Sequence, residues 1–158
     1  MKFLHTIIAG MLFVACAENN PKTTAVTSEK PSAQLKEELL TKGFSVFDYV
    51  GEGTNDTILM QQYYIAFLKR GENRNQSPAV ADSLQKLHLA HLGRMYEEGY
   101  ADISGPFGSD GDIRGITIYN VPNLNIADSL AKLDPMVQSG RLAVEVHPWW
   151  AAKNFCLR

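Results

Sequence analysis

Between Ile58 and Lys69 the chain places apolar side chains on both faces of an extended strand. Ile58, Met60 and Tyr64 fall on one side, and Leu59, Tyr63, Ile65 and Phe67 on the other. A strand apolar on both faces is one covered on both faces, whereas a half-solvated strand alternates. The pattern returns at Asp112–Val121, where Ile116 and Ile118 oppose Thr117, Tyr119 and Val121. A sheet built from these strands needs cover on two sides.

The elements around these strands set the fold class. Gly71–Ser77 is a polar loop, and Ser77 with Pro78 opens a helix expected to stop at Gly99. Its expected buried stripe is Val80, Leu84, Leu87, His91 and Met95. Tyr100–Phe107 reads as a second strand, and Gly108-Ser109-Asp110-Gly111 as the hairpin turn into the third. Asn125–Leu133 is a second helix, which Asp134-Pro135 interrupts because the residue before proline avoids helical angles. Leu142–Trp149 closes the series as a fourth strand. The order β-α-β-β-α-β predicts an α+β, ferredoxin-like domain with a four-stranded antiparallel sheet. Helices cover one face of such a sheet. The other is left to the same face of a second subunit, so a homodimer through the sheet face is expected.

Upstream the sequence reads differently. Lys2 precedes the mostly apolar run Leu4–Ala15, which is shorter than the roughly 20 residues needed to span a bilayer and fits a signal peptide over 1–15. Phe13-Val14-Ala15-Cys16 resembles a bacterial lipobox with Phe in place of the usual Leu, which makes Cys16 the expected lipid-attachment residue. Ordinary secretion, with cleavage near Ala15 or Ala17, is the alternative. Residues 16–56 then comprise this Cys, a polar disordered tether, a short helix over 33–42 ending at Gly43, and a connection over 44–56. The domain proper is expected at 57–150, with a tail at 151–158. The protein would reside in the bacterial cell envelope, lipid-anchored in the periplasm, touching the membrane through its lipid alone.

Charge and cysteine content narrow the function classes. The formal net charge is −2, which speaks against nucleic acid as a partner. With Cys16 acylated, Cys156 has no intrachain partner, so a disulfide framework is ruled out. No phosphate loop, Gly-x-Ser-x-Gly elbow or His-Glu-x-x-His is present. Asp110-Gly111-Asp112 lacks the ligand spacing of a calcium loop. No metal and no cofactor are expected.

Four short motifs in order carry a family resemblance. Leu89-Ala90-His91-Leu92-Gly93-Arg94-Met95 resembles the helix motif of YCII-related (YciI-like) proteins, and Ser104-Gly105-Pro106-Phe107 their second-strand motif. Leu133-Asp134-Pro135-Met136-Val137-Gln138-Ser139-Gly140 resembles their Asp-Pro turn, followed by a last strand like Val144–Trp149. The resemblance covers roughly residues 57–150 and implies a dimeric α/β barrel. It also implies a His and an Asp facing a pocket, carried over here to His91 and Asp134.

A histidine beside a carboxylate suits proton transfer, because imidazole titrates near neutrality and the carboxylate orients its ring. No nucleophile stands beside the pair in sequence, which favours isomerisation or elimination over acyl transfer. A core histidine bonded to a turn aspartate is the plain alternative. Ser104, Gly105 and Pro106 are expected to line the pocket, where Gly lets a ligand approach the backbone. Glu145 and His147 share a face of the last strand; they either border the pocket or lie on a solvent-facing edge. Two functions stay open: a lyase- or isomerase-like enzyme acting on a small organic molecule, and a non-catalytic dimer that binds one.

Overall fold

The computed structural model describes residues 32–53 and 56–155; the expected signal segment, Cys16, the tether at 17–31 and Cys156 lie outside these. In chain order the elements are α1 (Ser32–Thr41), β1 (Val46–Val50), β2 (Thr57–Arg70), α2 (Pro78–Glu97), β3 (Ala101–Pro106), β4 (Ile113–Tyr119), α3 (Leu124–Lys132), α4 (Pro135–Gln138) and β5 (Leu142–Ala152).

Every strand pairing is antiparallel. β2 is central: β4 and β5 flank it, and β3 pairs the far edge of β4. The order β5-β2-β4-β3, with α2 and α3 as the connections, is the ferredoxin-like α+β arrangement. One element departs from expectation. Val46–Val50, read from sequence as part of a connection, forms a fifth strand that pairs Thr57–Gln61. Its composition is Val-Phe-Asp-Tyr-Val, rich in residues that fit a pleated surface. The sheet therefore begins before residue 57.

The caps explain where the helices begin and end. Ser77 Oγ accepts from the Val80 amide at 3.4 Å, and Pro78 occupies the first turn, where its missing N–H is harmless. α2 ends where Gly99 takes φ +75°, with Tyr100 N–H donating to the Met95 carbonyl at 2.9 Å. Asn123 and Asp134 cap α3 and α4 through the amides of Ile126 and Met136, at 3.0 and 2.8 Å.

The core lies between the sheet and α2, α3 and α4. Tyr64, Ala66 and Tyr119 from the sheet meet Met95 from α2 and Ala127 and Ala131 from α3. Leu68, Met136 and Leu142 form a second, adjoining cluster. Small alanines on α3 let that helix settle close to the sheet. On the other side of the sheet, Ile65, Phe67, Ile116 and Ile118 remain half-buried and Ile103 exposed.

One loop crossing is fixed by glycine. A Cβ on Gly71 would sit 2.1 Å from the Gly140 carbonyl oxygen, so only glycine fits. The two loops are bonded there, Gly71 N–H to Arg141 O at 3.1 Å and Asn73 N–H to Gly140 O at 3.0 Å. This crossing holds Arg74 and Arg141 at one end of the sheet.

Candidate functional site

Asp134 is 1% exposed, and both its carboxylate oxygens are used. Oδ1 accepts the Met136 amide that starts α4. Oδ2 takes a hydrogen bond from Nδ1 of His88 at 2.5 Å. A buried carboxylate needs such partners, because burying it unpaired is costly. The Asp-Pro sequence thus serves both as helix cap and as the orienting group for an imidazole.

The imidazole is not the expected one. Asp134 was expected to pair with His91; the carboxylate instead bonds His88, one turn earlier on α2. Both histidines face inward, and the inward stripe of α2 is Leu84, His88, His91 and Met95. Val80 and Leu87, expected in that stripe, are about half exposed, at 49% and 51%. The helix is rotated so that His88 takes the place expected of Leu87 on the face toward the sheet.

His91 has a different environment. Arg94 Nη2 donates to its Nδ1 at 3.0 Å, so a neutral ring carries its proton on Nε2. That Nε2 is buried without a hydrogen bond of normal geometry, although the Leu130 carbonyl lies close enough to raise its proton affinity somewhat. Burial pushes the His91 pKa down; the Asp134 charge opposes this, while Arg94 and His88 reinforce it. A neutral, enclosed imidazole suits a packed core better than proton exchange with a ligand. Burial, and then the Asp134 charge, likewise raise the pKa of nearby Tyr119.

His88 borders a cleft of about 350 Å³ between α2 and the β3–β4 end of the sheet. With Nδ1 committed to Asp134, its Nε2 makes no hydrogen bond among the described residues. Ser104, Gly105 and Pro106 line the same cleft, as expected of pocket residues. Ser104 Oγ donates to Thr117 Oγ1 at 3.0 Å, so it is not aligned with His88 as a nucleophile. The close backbone approach belongs to Gly115 rather than Gly105: a Cβ there would lie 2.7 Å from the Gly105 carbonyl oxygen, whereas a Cβ on Gly105 would meet nothing.

Glu145 and His147 are not in the cleft. They pair in register with Phe67 and Ile65, whose side chains lie on the sheet face turned away from α2 and α3. His147 stacks edge-on to Phe67, with ring centroids 5.8 Å apart. Its Nε2 meets Glu145 at 2.7 Å, and Lys69 reaches the same carboxylate at 3.4 Å. These contacts hold the Glu145 pKa down, the His147 bond contributing most. Alternation along β5 decides the matter, since odd and even residues cannot share a face.

An arginine cluster that no sequence motif announced also stands here. Arg74, Arg114 and Arg141, three of the chain's six arginines, line the cleft with His88. Asp110 receives Arg114 at 2.5 Å and Arg70 at 3.1 Å. Arg74 Nη1 donates to the Arg141 carbonyl at 3.2 Å, and Arg141 Nη1 to Gln76 Oε1 at 3.0 Å. These residues are scattered over three segments of the sequence and converge through the Gly71–Gly140 crossing and the β2–β4 pairing.

No family model and no curated protein matches the chain. Among solved structures it is similar to a 5-chloro-2-hydroxyhydroquinone dehydrochlorinase from Burkholderia phenoliruptrix, determined in complex with 2,5-dihydroxybenzoquinone. The identity is 22% and the TM-score 0.42, over 55% of this chain and 92% of that one.

Proposed function

We propose that the cleft carries out proton transfer on a small organic molecule, as in an isomerisation or elimination, with His88 as the base and acid. The observation that carries this reading is the division of labour in one imidazole. Nδ1 is tied to a buried carboxylate, and the same ring borders a cleft large enough for a small ligand. His88 Nε2 takes a proton from the substrate and becomes imidazolium, which Asp134 stabilises across the Nδ1–H bond. The proton then returns to a different substrate atom or to a leaving group. Asp134 acts through His88 and is a positioning residue. The catalytic role first expected of His91 passes to His88.

The chain is a YCII-related domain, supported by the motif around Leu89–Met95 lying on α2, Ser104–Pro106 on β3, and the Asp-Pro turn capping α4. It is a homodimer through the open sheet face, supported by the half-buried Ile65, Phe67, Ile116 and Ile118 there. Export and lipid attachment at Cys16 rest on residues 1–16 alone and place the domain in the bacterial envelope.

The test is solvent exchange. A panel of small enolisable or hydroxylated organic compounds is incubated with the protein in D2O and followed by NMR. Deuterium incorporation by wild type and His91→Asn, but not by His88→Asn, supports the reading. Binding without exchange for any compound supports the non-catalytic ligand-binding module instead.

A further inference from the structure

Like charges gathered in one place repel, and a fold tolerates them where something relieves the repulsion. The chain as a whole is slightly acidic, at −2, yet half of its arginines line one cleft and Arg70 stands beside them. Among the described residues Asp110 forms ion pairs with Arg114 and Arg70, and its charge reaches Arg74 only as the smallest influence on that group. Among the described residues neither Arg74 nor Arg141 has a carboxylate within ion-pair distance. Each donates to a neutral oxygen instead, one a backbone carbonyl and the other the Gln76 amide. A guanidinium has five N–H donors in a planar fork, so most of theirs remain unused by the protein. The Gly71–Gly140 crossing fixes the backbones that carry both. The neighbouring guanidiniums of Arg141, Arg70 and Arg114 also hold the Arg74 pKa below its ordinary value, second to burial.

The same cleft is lined by the apolar Leu68, Leu89, Leu92 and Met136. It therefore offers cations for an anion and apolar surface for a hydrocarbon skeleton. We infer that the cleft takes a small organic carboxylate, its carboxyl group gripped by Arg74 and Arg141 and its carbon skeleton laid toward His88. The planar fork of arginine matches a carboxylate through two parallel hydrogen bonds, which favours this anion over a bare point charge. This names the substrate class for the site proposed above and rests on that reading for the role of His88. The binding claim itself does not need His88.

The experiment separates the two. Full-length protein is titrated with matched pairs, acetate with acetamide, benzoate with benzamide, and phenylacetate with phenylacetamide, and affinity is read by protein-observed NMR. Phenyl phosphate and inorganic phosphate form a second arm. At least one carboxylate is expected to bind about tenfold or more tighter than its amide, with affinity falling as salt rises. Arg74→Gln and Arg141→Gln should each remove that preference, while Lys132→Gln on α3 keeps it. Carboxylate binding by wild type with no proton exchange in any bound compound would sink the catalytic reading alone and leave this inference standing. Urea midpoints of the arginine variants check that they fold; if one does not, the salt dependence and the amide comparison in wild type still decide. The inference is overturned if no carboxylate outbinds its amide, if the arginine variants keep the preference, or if a phosphate probe binds tighter than every carboxylate.

Discussion

Replacing Asp134 with alanine removes two acceptors at once. The first is the cap of α4, where Oδ1 holds the Met136 amide at 2.8 Å; losing an N-cap costs about 1 kcal/mol. The second is the bond from His88 Nδ1 at 2.5 Å, a hydrogen bond to a charged group, worth about 1.5–3 kcal/mol. The site is 1% exposed, so water does not replace either partner at once. The expected loss is about 2.5–4 kcal/mol. Asparagine behaves differently. Its Oδ1 keeps the cap, and its amide nitrogen can donate to His88 Nδ1 once the ring shifts its proton to Nε2. It also relieves the cost of burying a charge. Asp134→Asn should therefore cost about 1 kcal/mol. Urea unfolding reads the difference: at a slope of about 2 kcal/mol/M, alanine lowers the midpoint by roughly 1.3–2 M and asparagine by about 0.5 M. The reasoning fails if alanine lies within about 1 kcal/mol of wild type, or if asparagine is as damaging as alanine.

Other consequences are equally specific. Gly93 lies inside α2 with open space around it, so Gly93→Ala should stabilise by about 0.5–1 kcal/mol in the same assay. Gly71→Ala drives a Cβ against the Gly140 carbonyl and should cost about 1–3 kcal/mol. His91 has a lowered pKa, so the unfolded chain binds the extra proton first and stability falls as pH drops below about 6.5. The slope from this group is at most about 1.4 kcal/mol per pH unit, and His91→Gln should flatten it in denaturation curves taken at a series of pH values. Phe67 is half-buried on the open sheet face. If two such faces pair, Phe67→Glu should convert a sedimenting dimer to a folded monomer; a wild-type monomer at all concentrations would refute the pairing.

The ferredoxin-like order was legible because its signals are local: Ser77-Pro78 and Gly99 bound α2, and Asp110-Gly111 marks the β3–β4 hairpin. The strand at Val46–Val50 was missed because a short strand outside the motif order gains its stability from pairing with β2, a contact that periodicity does not reveal. The site was half legible. Ser104–Pro106 line the cleft, whereas Asp134, expected to face it, lies buried behind His88 and reaches it only through that ring. His88 was passed over because the stripe was drawn through its apolar neighbour Leu87; the pair His88 and His91, three apart on one face, was the available signal. Nothing local could have gathered Arg74, Arg114 and Arg141, since their meeting depends on a loop crossing and on strand register.

The most direct test of the site is the tautomer of its two histidines. Long-range proton–nitrogen NMR correlation, recorded well above the ordinary histidine pKa of about 6.5, reports which ring nitrogen carries hydrogen. The arrangement predicts a proton on Nδ1 of His88, held by Asp134, and on Nε2 of His91, whose Nδ1 accepts from Arg94. It also predicts that a carboxylate entering the cleft shifts His88 Nε2 and leaves His91 unmoved. A proton on Nε2 of His88, or a response at His91 alone, would contradict the assignment of His88 as the group that faces the substrate.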